Sequence, residues 1–386
     1  MDLTIFFSAI DETIVQTIDD LNAFYYSVRI NTHEMPDYQE ADIAIIGLEE
    51  ERGSINNQGA AAGADEVRGK LYRLKSGMYS YKIVDLGNLR NGITLEETCL
   101  RIKEVCSILL THNVLPVLIG GTHDLDYGQF MAYEDLDKLI SILNVDAFLD
   151  LEETDRLGAS RQHIHKMLLF EPNYLFNYNQ LGHQSYLIDP VAITLLEKLY
   201  FDVYRLGLLR ENIHEMEPVI RNADMMTFDI TAIKSSDAPG NANAQPFGLS
   251  GEEACQVCWY AGLNEKLSSV GFYEYNPEFD DNHQSTARVV ATMVWYFIEG
   301  FYNRKKEQDF KSNDYLKFVV TLKNEPSTIV FYKSKLSEKW WMEVNYPQGK
   351  EKYARNCIVP CSYSDYKMAN EGELPERWIS THAKLI

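Results

Sequence analysis

Apolar and polar positions alternate in long blocks between about residue 40 and residue 303. Short, continuously apolar runs predict buried strands at 42–47, 82–86, 114–119, 141–146, 173–178, 203–206, 225–229 and 269–275. Amphipathic runs between them predict helices at 95–112, 192–199, 213–222, 251–263 and 286–303. Strands that alternate with helices indicate a parallel sheet covered by helices on both faces, which is a three-layer α/β/α fold.

The two ends of the chain have a different pattern. Residues 1–40 read as a helical or irregular lead-in, and a charged break at 304–309 follows the last predicted helix. Short apolar runs separated by turn residues then predict strands at 318–322, 328–333 and 340–344. We therefore predict three parts, which are a lead-in at 1–40, an α/β domain at 41–303 and a β-rich C-terminal extension at 310–386.

Side chains that could bind a ligand or take part in catalysis lie where four of the predicted strands end. A Gly-Gly-Thr-His sequence occupies 120–123, two aspartates four residues apart follow the 141–146 strand, and single acids end the last two strands. The carboxyl ends of parallel strands share one edge of the sheet, where ligands bind. One imidazole and three carboxylates at that edge form a ligand set for a hard divalent cation such as Mn²⁺.

Composition narrows the partners of the 386-residue chain. Its net charge of −21 repels phosphate backbones, so we expect neither nucleic acid nor an anionic membrane as a partner. No uncharged apolar run reaches about 18 residues and no basic leader is present, so we expect no membrane span and no secretory signal. The six cysteines are expected to be free thiols in the cytoplasm. The alternative is a zinc site of unusual spacing made of Cys255, Cys258, Cys357 and Cys361.

The motifs and their order resemble the ureohydrolase superfamily, which contains arginases, agmatinases and formimidoylglutamases. The resemblance covers roughly residues 42–303. The family's Gly-Gly-Asp-His, Asp-Ala-His-x-Asp, Asp-x-Asp-x-x-Asp and Glu-x-Asn-Pro motifs correspond to 120–123, 146–150, 229–234 and 274–277. The resemblance implies an arginase-like fold, a homo-oligomer, and hydrolysis of a C–N bond in a small amidine or guanidine substrate. It also implies two Mn²⁺ ions that share a hydroxide.

Carried over position by position, the resemblance implies one intact metal site, formed by His123, Asp146, Asp150 and Asp229. The second site is degenerate, because Phe148 and Thr231 stand at two ligand positions and Lys234 replaces the last acid of its motif. Four carboxylates, two dications and a hydroxide carry the same net charge as three carboxylates with one dication. We therefore predict one divalent ion, Mn²⁺ by resemblance, or a metal-free site partly neutralised by Lys234.

The same correspondence implies the catalytic residues. Glu274 is expected to bind the substrate's amidinium, and Asp150 is expected to act beside the ion. His163 lies thirteen residues after Asp150, where arginases have a proton-carrying histidine, although His165 is close enough to take that role instead.

The loop after the second aspartate is rich in charge and bears on substrate choice. Arg156 or Arg161 is expected to meet a substrate carboxylate, as in formiminoglutamate. Glu152 or Glu153 would instead meet an amine, as an agmatine-like substrate requires. A solvated charged loop is the remaining interpretation.

We therefore predict a cytoplasmic, metal-dependent hydrolase of linear amidines that is nearest to the formimidoylglutamases and has an impaired or single-ion site. The alternative is a catalytically inactive relative that keeps the scaffold as a binding or assembly protein. The C-terminal extension also leaves a purely structural subunit open.

Overall fold

The computed structural model describes residues 3–136, 138–152, 158–307, 309–323, 325–346 and 357–385. Two sheets are present in these ranges. The first contains β1 (Phe7–Ser8), β2 (Val28–Ile30), β3 (Ile43–Leu48), β4 (Ile83–Leu89), β5 (Leu115–Ile119), β6 (Ile140–Val145), β7 (Leu175–His183), β8 (Asp202–Arg205), β9 (Met225–Asp229) and β10 (Ser269–Tyr273). The second contains β11 (Tyr315–Thr321), β12 (Thr328–Ser334), β13 (Trp340–Glu343) and β14 (Ile358–Cys361).

Helices connect most of these strands. They are α1 (Gly63–Leu71), α2 (Leu95–Thr111), α3 (Asp126–Met131), α4 (His163–Leu168), α5 (Pro190–Lys198), α6 (Leu206–Glu211), α7 (Glu217–Arg221), α8 (Gly251–Leu263), α9 (Ser285–Tyr302), α10 (Tyr363–Asn370) and α11 (Glu376–Leu385). Helices α2 and α8 begin at polar caps: Thr94 accepts a hydrogen bond at the start of α2, and Ser250 forms a capping box with Glu253 at the start of α8. Across the described ranges, no helix has both the length and the apolar character needed to span a membrane.

The first sheet has the strand order β1-β4-β3-β5-β10-β9-β6-β7-β8, and β2 also pairs with β4. Its pairs are parallel apart from the antiparallel pair β1–β4. Every residue of β3, β5, β6, β9 and β10 is buried. Helices α1, α8 and α9 contribute to the core on one face, and α2, α3 and α4 contribute to the core on the other. The predicted three-layer α/β/α arrangement is confirmed.

The eight strands predicted for the α/β domain correspond to β3–β10, but other elements differ from the expectation. The lead-in adds β1 and β2 to the edge of the sheet beside β4. The helix predicted at 213–222 is a 3₁₀ turn (Ile213–Met216) followed by α7. Helices α1, α3, α4 and α6 were not predicted, because segments of 6 to 9 residues are too short to display a clear helical period.

The C-terminal extension forms an antiparallel sheet, as predicted, and ends in two helices that were not expected. Its own core includes Phe176 from β7, which joins it to the α/β domain. Arg221, at the end of α7, donates from Nη2 to the backbone oxygens of Trp340 (3.1 Å) and Cys361 (3.4 Å). Its guanidinium also lies 4.2 Å from the ring centroid of Trp341. The extension is therefore anchored by apolar packing and by one largely buried arginine.

A buried ion pair joins α1 to β4 below the carboxyl edge of the sheet. Arg68 donates from Nε and Nη2 to the two carboxylate oxygens of Asp85, at 2.8 and 2.9 Å. Neither side chain is exposed, and the hydroxyl of Tyr72 also donates to Asp85. This bidentate pair fixes α1, whose first turn packs beside the backbone of Tyr275 at Gly63.

Arg68→Met is expected to lower the free energy of unfolding by about 3–5 kcal/mol, because Asp85 would become a buried charge without its partner. Urea unfolding followed by circular dichroism measures the change. Arg73→Met removes an exposed arginine just after α1 and is the control, with an expected change of less than about 1 kcal/mol. An equally small change for Arg68→Met would contradict the expectation.

Candidate metal centre

Four neighbouring strands at the middle of the sheet, β5, β10, β9 and β6, bring the predicted site residues to one edge. His123 opens the turn after β5, Asp229 is the last residue of β9, and Asp146 directly follows β6. Asp150 lies four residues further on, and Glu274 directly follows β10. The common edge results from the parallel pairing of these strands, as the sequence predicted.

Two glycines make the turn that presents His123. Gly120 and Gly121 have φ angles of +93° and +70°, in the region that side chains rarely adopt. A Cβ atom at Gly120 would lie 2.9 Å from the backbone oxygen of Leu48, and one at Gly121 would lie 2.9 Å from that of Glu50. The chain can therefore turn this closely only because both residues lack a side chain.

The imidazole of His123 faces three carboxylates. Its Nδ1 atom lies 3.3 Å from Oδ2 of Asp229, 3.6 Å from Oδ2 of Asp146 and 3.7 Å from Oδ2 of Asp150. One ligand atom from each of the four residues lies within 4.8 Å of all the others, and all four residues are buried. On the other side of the ring, Nε2 lies 2.7 Å from Oγ1 of Thr227.

Two atoms at the centre of this group have unmet hydrogen-bonding capacity. Nδ1 of His123 and Oδ2 of Asp146 are buried and lack a hydrogen-bond partner. Leaving a buried polar atom without a partner costs about 1–3 kcal/mol. One nitrogen and three carboxylate oxygens also suit Mn²⁺ or a similar cation. The residues therefore fit a single divalent ion.

The pKa values of the group reflect its crowding. Burial disfavours the charged imidazolium, but the nearby carboxylates of the three aspartates together outweigh burial and raise the pKa of His123 well above its ordinary value. Burial, and then the charges of Asp229 and Asp150, raise the pKa of Asp146 to about 7. Burial also disfavours ionised Asp150, but the guanidinium of Arg161 together with His123 and His163 outweighs burial and lowers the pKa of that carboxyl. A dication in the group would relieve the repulsion that shifts Asp146.

The second oxygen of each aspartate is already held by the protein. Oδ1 of Asp146 accepts hydrogen bonds from the Phe148 amide (2.9 Å) and the Thr231 hydroxyl (3.1 Å). Oδ1 of Asp229 accepts a hydrogen bond from the Thr231 amide (2.7 Å). Oδ1 of Asp150 lies 2.9 Å from Nη1 of Arg161. The three carboxylates thus turn Oδ2 toward His123, while Oδ1 of Asp146 and Asp229 accepts hydrogen bonds and Oδ1 of Asp150 is ion-paired with Arg161.

A cation does lie beside the cluster, but it is not the one expected from the sequence. The guanidinium of Arg161 is stacked over the ring of Phe148, with Cζ 4.0 Å from the ring centroid. Lys234 instead pairs with Asp237, at 3.2 Å, and its side chain is one-third exposed. The structure therefore assigns the neutralising position to Arg161 rather than Lys234. Long charged side chains on neighbouring loops have many possible partners, so the sequence could not distinguish the two.

The carboxylate of Glu274 lies beside the cluster and is hydrogen-bonded to the backbone of His123. Its Oε1 accepts a hydrogen bond from the His123 amide (2.9 Å), and its Oε2 accepts one from Nδ2 of Asn57 (2.7 Å). The φ angle of Glu274 is +69°, which is a strained value. The amide N–H of Glu274 donates a hydrogen bond to the backbone oxygen of Gly121, and this bond helps to hold the strained conformation. Burial, and then the charge of Asp229, raise the pKa of Glu274 to about 8. A cationic group bound nearby would favour its ionised form.

His163 is the first residue of α4 and is fully buried between two aspartates. Its Nδ1 lies 2.7 Å from Oδ1 of Asp126, and its Nε2 lies 3.0 Å from Oδ2 of Asp150. Within the described ranges, His165 belongs to neither group of residues with metal-ligand spacing. Arg156 and Glu153 lie outside the described residues, and Glu152 is exposed.

Two contributors to the site were not expected from the sequence. Asp126 lies one helical turn after His123, a spacing that could have indicated that both point to the same side. Thr227 lies two residues before Asp229 in β9, so its side chain is on the same face of the strand as that of Asp229. The zinc alternative finds no support, since the groups of potential ligands found in the described ranges contain no cysteine.

A three-layer α/β fold with one histidine and three aspartates at the carboxyl edge of the sheet defines the class of protein. The chain belongs to the arginase family, whose family model matches residues 41–299. The match covers the segment that holds the cluster.

Individual relatives agree with this assignment. The formimidoylglutamase of Staphylococcus haemolyticus is 24% identical over 275 residues, which is 66% of this chain and 85% of that protein. The formimidoylglutamase of Geobacillus sp. is 25% identical over 281 residues, or 69% of this chain and 86% of that protein. Among solved structures, Trypanosoma cruzi formiminoglutamase with Mn²⁺ has a TM-score of 0.65 at 24% identity, covering 70% of this chain and all of that one. Bacillus subtilis formimidoylglutamase has a TM-score of 0.66 at 18% identity, and the match covers 75% of this chain and 95% of that one.

Proposed function

We propose that this protein is a hydrolase that cleaves a C–N bond of a small linear amidine, with formiminoglutamate as the first candidate, using one divalent ion. The observation that carries the proposal is the orientation of the three aspartates. Their Oδ2 atoms converge on Nδ1 of His123, while Oδ1 of Asp146 and Asp229 accepts hydrogen bonds and Oδ1 of Asp150 is ion-paired with Arg161. Mn²⁺ is the first candidate for the ion, because the Trypanosoma cruzi relative was crystallised with it.

The ligands of the proposed ion are His123, Asp146, Asp150 and Asp229. When bound, a divalent ion supplies Lewis acidity and lowers the pKa of water beside it. Three carboxylates, one dication and the Arg161 guanidinium sum to no net charge when His123 is neutral. Arg161 therefore supplies part of the positive charge that a second ion supplies in a two-ion site.

Glu274 is the proposed anchor of the substrate's amidinium, since it lies beside the cluster and is held in place by Asn57 and the His123 amide. Water adds to the amidine carbon and loses a proton, and the leaving nitrogen gains one. The expected part of Asp150 in this transfer stays a prediction, because its Oδ1 is paired with Arg161 and its Oδ2 faces His123. Hydrolysis of formiminoglutamate in this way yields formamide and glutamate. The contact of Arg161 with a substrate carboxylate stays a prediction, and its guanidinium is paired with Asp150 in the structure. The same contact by Arg156 also stays a prediction.

Cytoplasmic location and homo-oligomeric assembly stay predictions. Cys99, Cys106, Cys255, Cys258 and Cys361 form no disulfide, and burial raises the pKa of Cys106 to about 12. Thiols of this kind agree with a reducing compartment.

The proposal predicts formamide release from formiminoglutamate by the full chain with added Mn²⁺. Urea release from arginine, agmatine and guanidinobutyrate is measured in parallel, because each product identifies the bond that breaks. A rate above that of Asp229→Asn, prepared in the same way, on any of these substrates supports an amidine hydrolase. Metal analysis of the dialysed protein is expected to find one ion per chain.

No turnover on the whole panel, together with less than about 0.2 ions per chain after loading with Mn²⁺, would contradict the proposal. It would favour the alternative of an inactive relative that acts as a binding or assembly protein. Turnover by a chain that binds two ions would support the proposed activity and contradict the proposed single-ion site.

A further inference from the structure

A second group of potential ligands overlaps the first. His123, Asp150 and His163 each offer a ligand atom within 4.8 Å of the others, and all three are buried. The rings of His123 and His163 are 4.3 Å apart, centroid to centroid. Both groups share His123 and Asp150, so His163 directly adjoins the four-residue ligand set.

The environment of His163 resembles that of a metal-ligating histidine. Nδ1 lies 2.7 Å from Oδ1 of Asp126, an unexposed carboxylate, and is well placed to donate its proton there. A histidine that donates one ring N–H to a carboxylate keeps the lone pair of its other nitrogen for a metal, and the carboxylate fixes the orientation of the ring. The other nitrogen, Nε2, faces Oδ2 of Asp150, the oxygen that also faces His123.

Asp126 faces both imidazole rings. Its second oxygen, Oδ2, is buried without a hydrogen-bond partner and lies 3.7 Å from Nε2 of His123. The carboxylate therefore stands between the outer sides of both imidazoles and can orient both rings. An unexposed carboxylate is costly unless it is paired, and the ring of His163 is the partner that Asp126 has here.

We propose that Nε2 of His163 is a further ligand of the single divalent ion and that Asp126 is the residue that positions it. The inference depends on the proposed single-ion site. The family resemblance implies a histidine ligand at position 148, where this chain has Phe148. In the proposed single-ion site, His163 supplies the second imidazole ligand instead. This role replaces the proton-carrying role that the family resemblance implies for His163, whose ring is closed off from solvent.

The test measures the affinity of the full chain for Mn²⁺ and for Co²⁺ alone, by calorimetry and by the visible d–d bands of bound Co²⁺. His163→Gly is expected to weaken binding of both ions by about 100-fold, and Asp126→Asn by about 10-fold. His165→Asn, two residues further along α4, is the matched control and is expected to bind as the wild type does. The d–d bands are expected to shift in His163→Gly, because the ion loses an imidazole ligand.

Free imidazole added to His163→Gly is expected to restore the bands, which shows that the variant is folded and that the ligand was the missing group. His163→Gln, which keeps most of the side-chain volume, is a second variant and is expected to show the same shift. Wild-type affinity and unchanged bands in both His163 variants would overturn this inference and leave the proposed function intact. Failure of the wild-type chain to bind either ion would overturn the single-ion site and this inference with it.

Discussion

Asp229→Asn is expected to lower kcat/KM on the amidine substrate by about 10³-fold, because the ion supplies several kcal/mol of transition-state stabilisation and would no longer be held. The substitution removes the carboxylate oxygen that lies nearest to Nδ1 of His123, at 3.3 Å. The amide oxygen of asparagine can still accept the Thr231 amide hydrogen bond that Oδ1 of Asp229 now accepts, so the local backbone is expected to be kept. Product release and Mn²⁺ affinity are measured on the same preparations.

Lys234→Ala is the control for this experiment. Lys234 follows Asp229 closely in sequence, but its ammonium pairs with Asp237 outside the cluster. Its removal is therefore expected to leave Mn²⁺ affinity within about twofold of the wild type, since partly exposed pairs contribute little. Comparable losses of Mn²⁺ affinity in Asp229→Asn and Lys234→Ala would contradict the metal site proposed here.

The triple variant Phe148→His, Thr231→Asp and Arg161→Gln is expected to bind two Mn²⁺ ions per chain where the wild type binds one. The new imidazole and carboxylate restore two ligand types for a second ion. Loss of Arg161 and gain of an aspartate change the side-chain charge by −2, which a second dication balances. Loss of Arg161 also frees Oδ1 of Asp150, which the guanidinium now approaches to 2.9 Å. Metal analysis gives the stoichiometry, and electron paramagnetic resonance detects coupling between paired Mn²⁺ ions.

The matched control keeps Arg161 and carries only Phe148→His and Thr231→Asp. It is expected to bind a single ion, because the guanidinium repels a second dication at the place it would occupy. Two ions per chain in this double variant would contradict the role given to Arg161. One ion in the triple variant would show that more than these three positions separates the site from a two-ion site.

Much of the fold followed from local patterns. Continuous apolar runs such as Leu115–Ile119 predict strands buried on both faces, and all eight strands predicted in the α/β domain are present. Amphipathic segments of thirteen to eighteen residues, such as α8 and α9, were equally clear. The short helices were not, and α4 matters most among them because it begins at His163. A helix of six residues completes fewer than two turns, which is too few to show a period.

The candidate site divides in the same way. His123, Asp146 and Asp229 could be placed together because each lies at the carboxyl end of a strand, and parallel strands align those ends. The partners of Arg161 and Lys234 could not be assigned, because a long flexible side chain reaches any acid within several ångströms. The pairing of His163 with Asp126 joins residues 37 positions apart, on α3 and α4, and depends on how those two helices pack.

The sequence by itself determined the layered α/β fold and the edge of the sheet where the candidate ligands lie, because both depend on residue type and on periodicity along the chain. The loss of second-site ligands at Phe148 and Thr231 rests on the family resemblance and stays a prediction. Only the tertiary structure decided that Arg161, not Lys234, neutralises the cluster, and that His163 is enclosed by Asp126 and Asp150. The physical reason is that charged and hydrogen-bonding side chains choose partners by distance and burial in three dimensions, and neither quantity is written in local sequence.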